Sequence, residues 1–202
     1  NVPEWRDYYL THDQTNHYEY LKDVLKAMQF IKGPKKWVLK SPQHLEQILP
    51  LLNTFPDATF AITYRDPLSV VLSTATMLSY GDRVRRYQVD PKNNFNYWHN
   101  RIKKLLERFT ADYKLIPLDQ KSDVFFHDLI KDNIKSVKSI YSKNSLKFSA
   151  LANGEIEEYM KLNKRGKHGQ VIYNLEDFNV DKSEFYESFK FYFDAFDVLK
   201  EI

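Results

Sequence analysis

Apolar residues recur at helical spacing near the start of the chain, and the pattern stops at Gly33-Pro34. The members of this stripe are Tyr18, Leu21, Leu25, Met28 and Ile31. Residues three and four positions apart share one face of a helix, and a glycine followed by proline is typical of a helix end. The spacing therefore predicts an N-terminal helix that ends before Gly33.

Two further patterns each predict a strand that runs into a helix. A short apolar run at residues 36–40 leads into Ser41-Pro42, and a run rich in β-forming residues at 59–64 leads into Asp66-Pro67. Serine and aspartate cap helices well, and proline suits the first helical position. The second helix should extend to about Leu78. The first carries one apolar stripe, formed by Leu45, Ile48, Leu49 and Leu52.

The rest of the chain continues this alternation. A third strand is expected at residues 122–126, and Asp128 is placed to cap the helix after it. We also expect a short helix at residues 155–162, a loop at residues 163–173 and a closing helix at residues 185–199. A long amphipathic helix before the third strand is indicated by Phe95, Trp98, Ile102, Leu105, Leu106 and Phe109. Alternating strands and helices are typical of an α/β fold with a parallel sheet.

Composition favours one domain and restricts the chemistry. A chain of 202 residues that is 43% hydrophobic can bury a substantial core, so we expect a single domain over residues 1–202. The formal charge of +3 is dispersed, so it does not by itself predict nucleic acid or a membrane surface, and it is compatible with a small anionic ligand. The absence of cysteine excludes disulfides and thiolate nucleophiles but leaves the redox compartment undetermined, and a reducing cytoplasm is the default expectation. No convincing metal-ligand spacing occurs, since His12 and His17 are five residues apart.

A candidate anion site follows the second predicted strand. Ligands of open α/β sheets bind beyond the carboxyl ends of strands, where a helix N-terminus offers free N–H groups. Arg65 can fork onto a phosphate, and Ser73 lies about 9 Å along the helix, at about 1.5 Å per residue. The alternative is structural: an Arg65–Asp66 ion pair in the turn and a serine bonded to a helix carbonyl. The spacing gives these two interpretations about equal weight.

A candidate base follows the first predicted strand. Lys40 ends that strand and His44 lies in the first turn of the next helix, so both should face the same crevice as Arg65. The positive end of the helix dipole disfavours the imidazolium form and leaves His44 able to accept a proton. A solvated lysine and a surface histidine are the alternative, and the residues alone slightly favour it.

A third candidate is the basic loop at residues 164–169. Its two glycines, Gly166 and Gly169, let the backbone approach a ligand closely, and its cations could fold over a phosphate. Such charge runs are more often simply solvated, and the segment alone favours that reading.

Taken together, these segments resemble the sulfotransferases that depend on 3′-phosphoadenosine 5′-phosphosulfate (PAPS), and most closely their bacterial-type branch. The resemblance covers about residues 2–196. It rests on four segments in order, which are residues 37–46 (WVLKSPQHLE), residues 55–58 (FPDA), Arg65-Asp66-Pro67 with Ser73, and residues 173–178 (YNLEDF). It implies a fold similar to P-loop-containing nucleotide hydrolases, with a parallel sheet flanked by helices.

The resemblance also implies a binding site for the nucleotide. By analogy, Arg65 and Ser73 bind the 3′-phosphate, and Phe126 lies beside adenine. The basic loop that closes over the phosphate in the family is similar to Arg165, Lys167 and His168.

The reaction implied by the resemblance is transfer of a sulfuryl group to a hydroxyl-type, small-molecule acceptor, without a metal. His44 would take the proton of the acceptor, and Lys40 would neutralise charge on the leaving oxygen. In better-known relatives the histidine follows the lysine by two residues, whereas His44 follows Lys40 by four. The catalytic role of His44 therefore rests on position and chemistry more than on spacing.

The glycine-containing phosphosulfate loop of the family has no counterpart before the first glycine, Gly33. The sequence therefore suggests a family domain whose first strand and phosphosulfate loop are missing, and weak or no turnover by these 202 residues. The alternative is a non-catalytic nucleotide-binding or interaction module on the same fold. Nucleic-acid binding ranks last, because no recognised motif supports it. The sequence does not indicate an oligomeric state.

Overall fold

The structure is a computed structural model that describes residues 2–164, 166–167, 169, 173 and 175–202. The chain divides into two compact units. The first unit consists of residues 1–58 and 108–118, and the second of residues 59–107 and 119–202. The single domain expected from composition stays a prediction.

Helices dominate the first unit. Helix α1 is Pro3–Thr11, α2 is Thr15–Lys32 and α3 is Ile48–Thr54, with 3₁₀ turns at Pro42–Glu46 and Tyr113–Leu115. Helix α2 confirms the predicted N-terminal helix. It ends at Gly33, whose φ of 80° is a conformation that favours glycine. The buried apolar residues described in this unit include Tyr18, Ile48, Leu51, Phe109 and Ile116.

The strand predicted at residues 36–40 is wrong, because this segment has no regular secondary structure. Val38 is 94% exposed and Leu39 is 41% exposed. A strand needs a neighbour for its backbone hydrogen bonds, and within the described residues none pairs with this segment. The segment therefore leads irregularly into the 3₁₀ turn.

The helix expected after Ser41-Pro42 is also altered. A five-residue 3₁₀ turn comes first, Ser41 makes no side-chain cap, and the α-helix begins six residues after Pro42 at Ile48. Of the predicted stripe, Ile48 is buried but Leu49 is 45% exposed. The change from 3₁₀ to α geometry shifts the angular position of each later side chain, because the two helices differ in residues per turn.

The second unit contains a two-stranded parallel sheet. Strand β1 is Phe60–Tyr64 and β2 is Lys121–Phe125, paired in register from Phe60 with Lys121 to Tyr64 with Phe125. Both strands and their parallel pairing confirm the predicted pattern. Since parallel strands end at the same edge of a sheet, the residues that follow β1 and β2, Arg65 and Phe126, emerge side by side.

Helix α4, Pro67–Arg83, leaves the carboxyl end of β1. The Oδ1 atom of Asp66 accepts a hydrogen bond from the backbone N–H of Leu68 at 3.0 Å, which confirms the predicted cap. The helix continues past the predicted end at Leu78. Its buried face comprises Leu68, Val71, Leu72 and Ala75, which are all fully inaccessible to solvent.

Four helices occupy the middle of the chain: α5 (Pro91–Asp112), α6 (Phe126–Lys131), α7 (Asn133–Lys143) and α8 (Ala150–Leu162). The role predicted for Asp128 is wrong, since this residue lies within α6. The carboxylate of Asp132 instead caps α7 by accepting from the N–H of Lys135. Both aspartates are residue types that favour the N-cap position. Because α6 occupies Phe126–Lys131, Asp132 is the one that stands just before α7.

The closing helix predicted at residues 185–199 is two short helices, α9 (Lys182–Ser188) and α10 (Lys190–Ala195), followed by a tail at residues 196–202 without regular structure. The break is at Phe189, whose N–H bonds to the carbonyl of Tyr186 in 3₁₀ fashion at 3.2 Å. Phe189 is completely buried there.

Among the described residues, no helix has the length and apolar content needed to cross a bilayer.

Candidate functional site

The predicted site residues fall in both units, and each unit is described in turn. Lys40 and His44 belong to the first unit. Arg65, Ser73, Phe126 and Lys167 belong to the second. Arg165 and His168 lie outside the described residues.

His44 is held by a tyrosine of helix α2. Its Nδ1 atom lies 2.9 Å from the hydroxyl of Tyr18, and the two rings are 5.8 Å apart. Burial lowers the pKa of the His44 imidazole, so the neutral form is favoured. The cause differs from the expected helix dipole, because His44 lies in a 3₁₀ turn of five residues and not in an α-helix.

The same turn ends in a buried carboxylate, that of Glu46. The Oε1 atom of Glu46 accepts a hydrogen bond from Tyr9 at 2.8 Å, and Gln47 donates to the same tyrosine oxygen at 3.2 Å. Burial, and the negative charge of Glu46, raise the pKa of Tyr18 to about 12. The Tyr18 phenol therefore stays protonated at neutral pH, and it fixes the ring of His44 on its Nδ1 side.

Lys40 is an exposed residue of the irregular segment before the turn. Within the part of the chain that the structure describes, its ammonium makes no ion pair or hydrogen bond. The structure therefore places a solvated cation four residues before His44.

Arg65, in the second unit, contacts both a carboxylate and an aromatic ring. Its Nε atom lies 2.9 Å from Oε1 of Glu201, and its Nη2 atom lies 2.9 Å from Oε2. The guanidinium carbon also lies 4.2 Å from the centre of the Phe126 ring. Arg65 thus forks onto a carboxylate while one face of its guanidinium rests on an aromatic ring, and the hydrogen bond with Glu201 raises its pKa.

Asp66 does not pair with Arg65. The Arg65–Asp66 ion pair, which was the structural alternative for this turn, therefore does not form. Its carboxylate is fully buried and takes hydrogen bonds from three directions. Besides the cap to Leu68, Oδ2 accepts from the hydroxyl of Tyr186 at 3.0 Å and from the backbone N–H of Glu201 at 2.9 Å. Asp66 therefore joins the start of α4 to α9 and to the tail, and burial raises the pKa of Tyr186.

Ser73 is half-buried in α4, two turns from its start. Its hydroxyl makes no hydrogen bond to another described residue. The structural alternative, in which this serine bonds to a helix carbonyl, therefore does not hold among the described residues. The neighbouring Thr74 does make such a bond, to the carbonyl of Val70 at 2.8 Å. Ser73 thus has donor capacity that the described fold does not use.

Lys167 is exposed in a turn, where its N–H bonds to the carbonyl of Lys164 at 3.0 Å. Gly166 beside it has a φ of 81°, the positive value expected of a glycine that turns the backbone.

Among the described residues, no cluster of three or more His, Asp or Glu side chains could hold a metal ion.

Sequence reasoning missed three residues that shape these arrangements: Tyr18, Tyr186 and Glu201. Tyr18 was assigned to the apolar stripe of α2, and nothing in its spacing indicates a histidine partner 26 residues away. Glu201 lies 136 residues from Arg65 and carries no local motif. Such pairings depend on chain folding, so local sequence patterns contain no signal for them.

A sequence profile described as the Sulfotransferase family matches residues 3–150. Curated protein sequences gave no significant match. Two solved structures are similar. Sulfotransferase STF9 from Mycobacterium avium is 20% identical, with a TM-score of 0.85 over 98% of this chain and 51% of that one. Sulfotransferase STF1 from Mycobacterium tuberculosis is 24% identical, with a TM-score of 0.75 over 94% of this chain and 48% of that one.

The chain therefore spans about half the length of the solved structures that it matches. At these identities the structural likeness shows the fold, which is helix-rich α/β with a small parallel sheet. The profile covers most of the chain, from the first helix through Ala150. On this evidence, the chain belongs to the sulfotransferase family.

Proposed function

We propose that this chain takes part in sulfuryl transfer from PAPS to a hydroxyl group of a small-molecule acceptor, with weak or no turnover by these 202 residues alone. Family membership supports transfer of a sulfuryl group; the donor, the acceptor and the residue roles are our proposal. The location proposed is the cytoplasm as the default compartment, since a chain without cysteine leaves the redox compartment undetermined. No nucleic acid or membrane partner is part of the proposal.

One observation carries the nucleotide part of this proposal. Arg65, at the carboxyl end of β1, already forks onto an oxyanion, since the Glu201 carboxylate bonds to both Nε and Nη2. Phosphate oxygens present the same paired acceptors to a guanidinium. The residues therefore fit the 3′-phosphate of the donor, with Arg65 and the unused hydroxyl of Ser73 as its ligands.

Other residues would complete the binding of the nucleotide. Phe126 offers an aromatic ring next to Arg65 and is our candidate for contact with adenine. Lys167, with Arg165 and His168 of the same loop, would add positive charge near the phosphate. The role of Phe126 rests on the family resemblance and its aromatic ring, and the roles of the loop residues rest on the resemblance and on charge.

The donor, when bound, supplies a sulfuryl group whose bond to a phosphate oxygen breaks as the acceptor oxygen attacks sulfur. His44 would accept the proton of the acceptor hydroxyl at Nε2. That role requires the tautomer with hydrogen on Nδ1, which then donates to the Tyr18 oxygen across the observed 2.9 Å. Burial favours the neutral imidazole that a base must be. Lys40, a solvated cation, would offset negative charge on the leaving oxygen.

Binding of 3′-phosphoadenosine 5′-phosphate (PAP) tests the nucleotide site. A ligand that binds the folded state alone at 100 times its Kd adds about 2.7 kcal/mol of stability, which is about 5–10 °C in Tm for a chain of this size. We expect such a shift, with an affinity that falls about 10- to 100-fold in Arg65→Ala as charge-assisted hydrogen bonds are lost.

Two control variants sharpen this experiment. Arg65→Lys keeps the charge without the fork and should also weaken binding, because a lysine cannot bond in a bidentate manner. Arg85→Ala removes an exposed arginine elsewhere and should bind PAP like the unmodified chain. An unchanged affinity in Arg65→Ala would remove Arg65 from the proposed site.

A further inference from the structure

The carboxylate on Arg65 belongs to the chain itself, because it is the side chain of Glu201. Three nitrogen–oxygen contacts of 2.9–3.2 Å join the guanidinium to both oxygens of Glu201. The Glu201 side chain thereby takes up the same donor edge of Arg65 that a phosphate would need. Phe126 covers a face of the guanidinium, so the edge is where an oxyanion binds.

The tail that carries Glu201 is anchored without using this carboxylate. The backbone N–H of Glu201 donates to Oδ2 of Asp66 at 2.9 Å. The hydroxyl of Tyr186 lies 3.0 Å from that same carboxylate oxygen and 3.0 Å from the carbonyl oxygen of Ile202, so the two acceptors share its one proton. The ammonium of Lys200 lies 4.3 Å from the centre of the Tyr186 ring. These contacts keep the Glu201 side chain next to Arg65 at a high effective concentration, and they can persist when the carboxylate turns away.

The ion pair itself is partly open to solvent. The side chains of Arg65 and Glu201 retain 37% and 24% of their accessible surface. Because both side chains keep contact with solvent, water and salt screen the two charges as the pair opens. A doubly charged phosphate that approaches Arg65 can therefore replace the singly charged carboxylate without unfolding the tail.

We propose that Glu201 is an internal competitor for the anion site at Arg65 and sets the affinity and charge selectivity of that site. A phosphate group binds by displacing the carboxylate, whereas weakly charged anions do not displace it. Specificity of this kind comes from a competing interaction and not from new contacts to the ligand. This inference deepens the proposed function. The part of it that concerns the nucleotide rests on that proposed function.

Binding of two anions to the whole chain tests this inference. Inorganic pyrophosphate probes the Arg65 anion site alone, and PAP probes the nucleotide site. We expect both to bind Glu201→Gln about three- to tenfold more tightly than the unmodified chain, as measured by isothermal titration calorimetry at low ionic strength. Glu201→Ala should behave in the same way, which guards against a residual amide contact in the glutamine variant.

Asp197→Asn is the matched control, because it removes one exposed carboxylate from the same tail. Its affinity for both anions should equal that of the unmodified chain. An equal gain in Asp197→Asn would reduce the effect to net charge and overturn the inference. Thermal melts of each variant without ligand verify that the tail variants are folded.

The remaining outcomes separate the two proposals. Equal PAP affinity in the unmodified chain and in both Glu201 variants would reject Glu201 as a competitor and leave the nucleotide site intact. Tighter pyrophosphate binding in Glu201→Gln without any PAP binding would support the competitor and reject the nucleotide function. Binding of neither anion to Glu201→Gln would reject both.

Discussion

At the residue scale, the arrangement around His44 depends on one hydroxyl. The imidazole is fixed at Nδ1 by Tyr18, whose phenol is buried in α2. In the neutral imidazole, only one ring nitrogen carries a hydrogen. If Nδ1 of His44 donates to Tyr18, then Nε2 has a free lone pair; if Tyr18 donates to Nδ1, then Nε2 carries the hydrogen. The proposed base therefore depends on the Tyr18 contact as much as on its own position.

Replacing Tyr18 with phenylalanine should change the tautomer of His44. In our proposal Nδ1 carries the hydrogen and donates to Tyr18, so Tyr18→Phe leaves that donor unpaired and shifts the population towards the Nε2–H form. The ¹⁵N chemical shifts of the His44 ring measure this change.

Tyr9→Phe provides the matched control. It removes a hydroxyl from the same cluster, but one that bonds to Glu46 and not to His44. Identical His44 ¹⁵N shifts in Tyr18→Phe and the unmodified chain would contradict the positioning role.

Asp66 shows how one side chain serves several structural purposes. It caps α4, and it accepts from Tyr186 and from the tail. The Arg-Asp-Pro sequence predicts the cap, but the two distant donors follow from the fold alone. A change at Asp66 should therefore cost more than loss of an ordinary cap.

Asp66→Ala should lower the free energy of unfolding by about 2–4 kcal/mol, which combines a lost cap with buried donors left unpaired. Urea denaturation followed by circular dichroism measures the loss. Asp132→Ala removes the exposed cap of α7 and should cost about 1 kcal/mol. Equal losses in the two variants would show that the additional contacts of Asp66 contribute nothing.

At the element scale, the structure packs α5 against α9 through a half-buried histidine. The Nε2 atom of His99 lies 2.9 Å from the hydroxyl of Ser188, which itself donates to the carbonyl of Phe185 at 2.7 Å. The ring stacks on Phe189 at 5.4 Å. Because the serine proton is used on the carbonyl, His99 is the donor to Ser188, and this pair is structural.

This packing predicts an acid-sensitive fold. Burial, assisted by Lys103 and opposed by Glu184, lowers the pKa of His99 below its ordinary value of 6.5. The unfolded chain therefore binds a proton first as the pH falls. Stability is fully present above about pH 6.5 and declines below it, until the folded state is protonated as well.

Urea denaturation between pH 7.5 and 5.5 should show this decline. His44 contributes in the same direction, since burial lowers its pKa too. His99→Gln should remove part of the slope and leave the His44 part. A slope that is unchanged in His99→Gln would contradict the assignment to His99.

Elements whose sequences contain their own boundary signals were predicted well. Helix α2 ends at its glycine, and α4 begins at the Asp66-Pro67 cap. The predictions that failed concern segments whose secondary structure depends on residues distant in the sequence. The segment at residues 36–40 has a strand-like composition, yet no strand pairs with it in the described structure, and the closing helix breaks where Phe189 is buried.

At the scale of the whole molecule, the family and the fold are shown, and turnover by these 202 residues stays a prediction. The sequence contains no glycine-rich turn with a following basic residue and hydroxyl ahead of Gly33. Backbone N–H groups of such a loop stabilise developing charge, so we expect weak or no sulfation. Transfer of labelled sulfate from PAPS to a panel of alcohols measures this, and ordinary turnover by the pure chain would contradict it.

The sequence by itself determined the family, the α/β alternation, the parallel strand pair and the position of Arg65 just before a helix that carries Ser73. These features follow from short-range periodicity, caps and motif spacing, which a linear pattern contains. The tertiary structure alone decided that Tyr18 contacts His44, that Asp66 joins α4 to α9, and that Glu201 lies on Arg65. These pairs are 26, 120 and 136 residues apart, and no local signal specifies which distant side chains the packing of the core brings together.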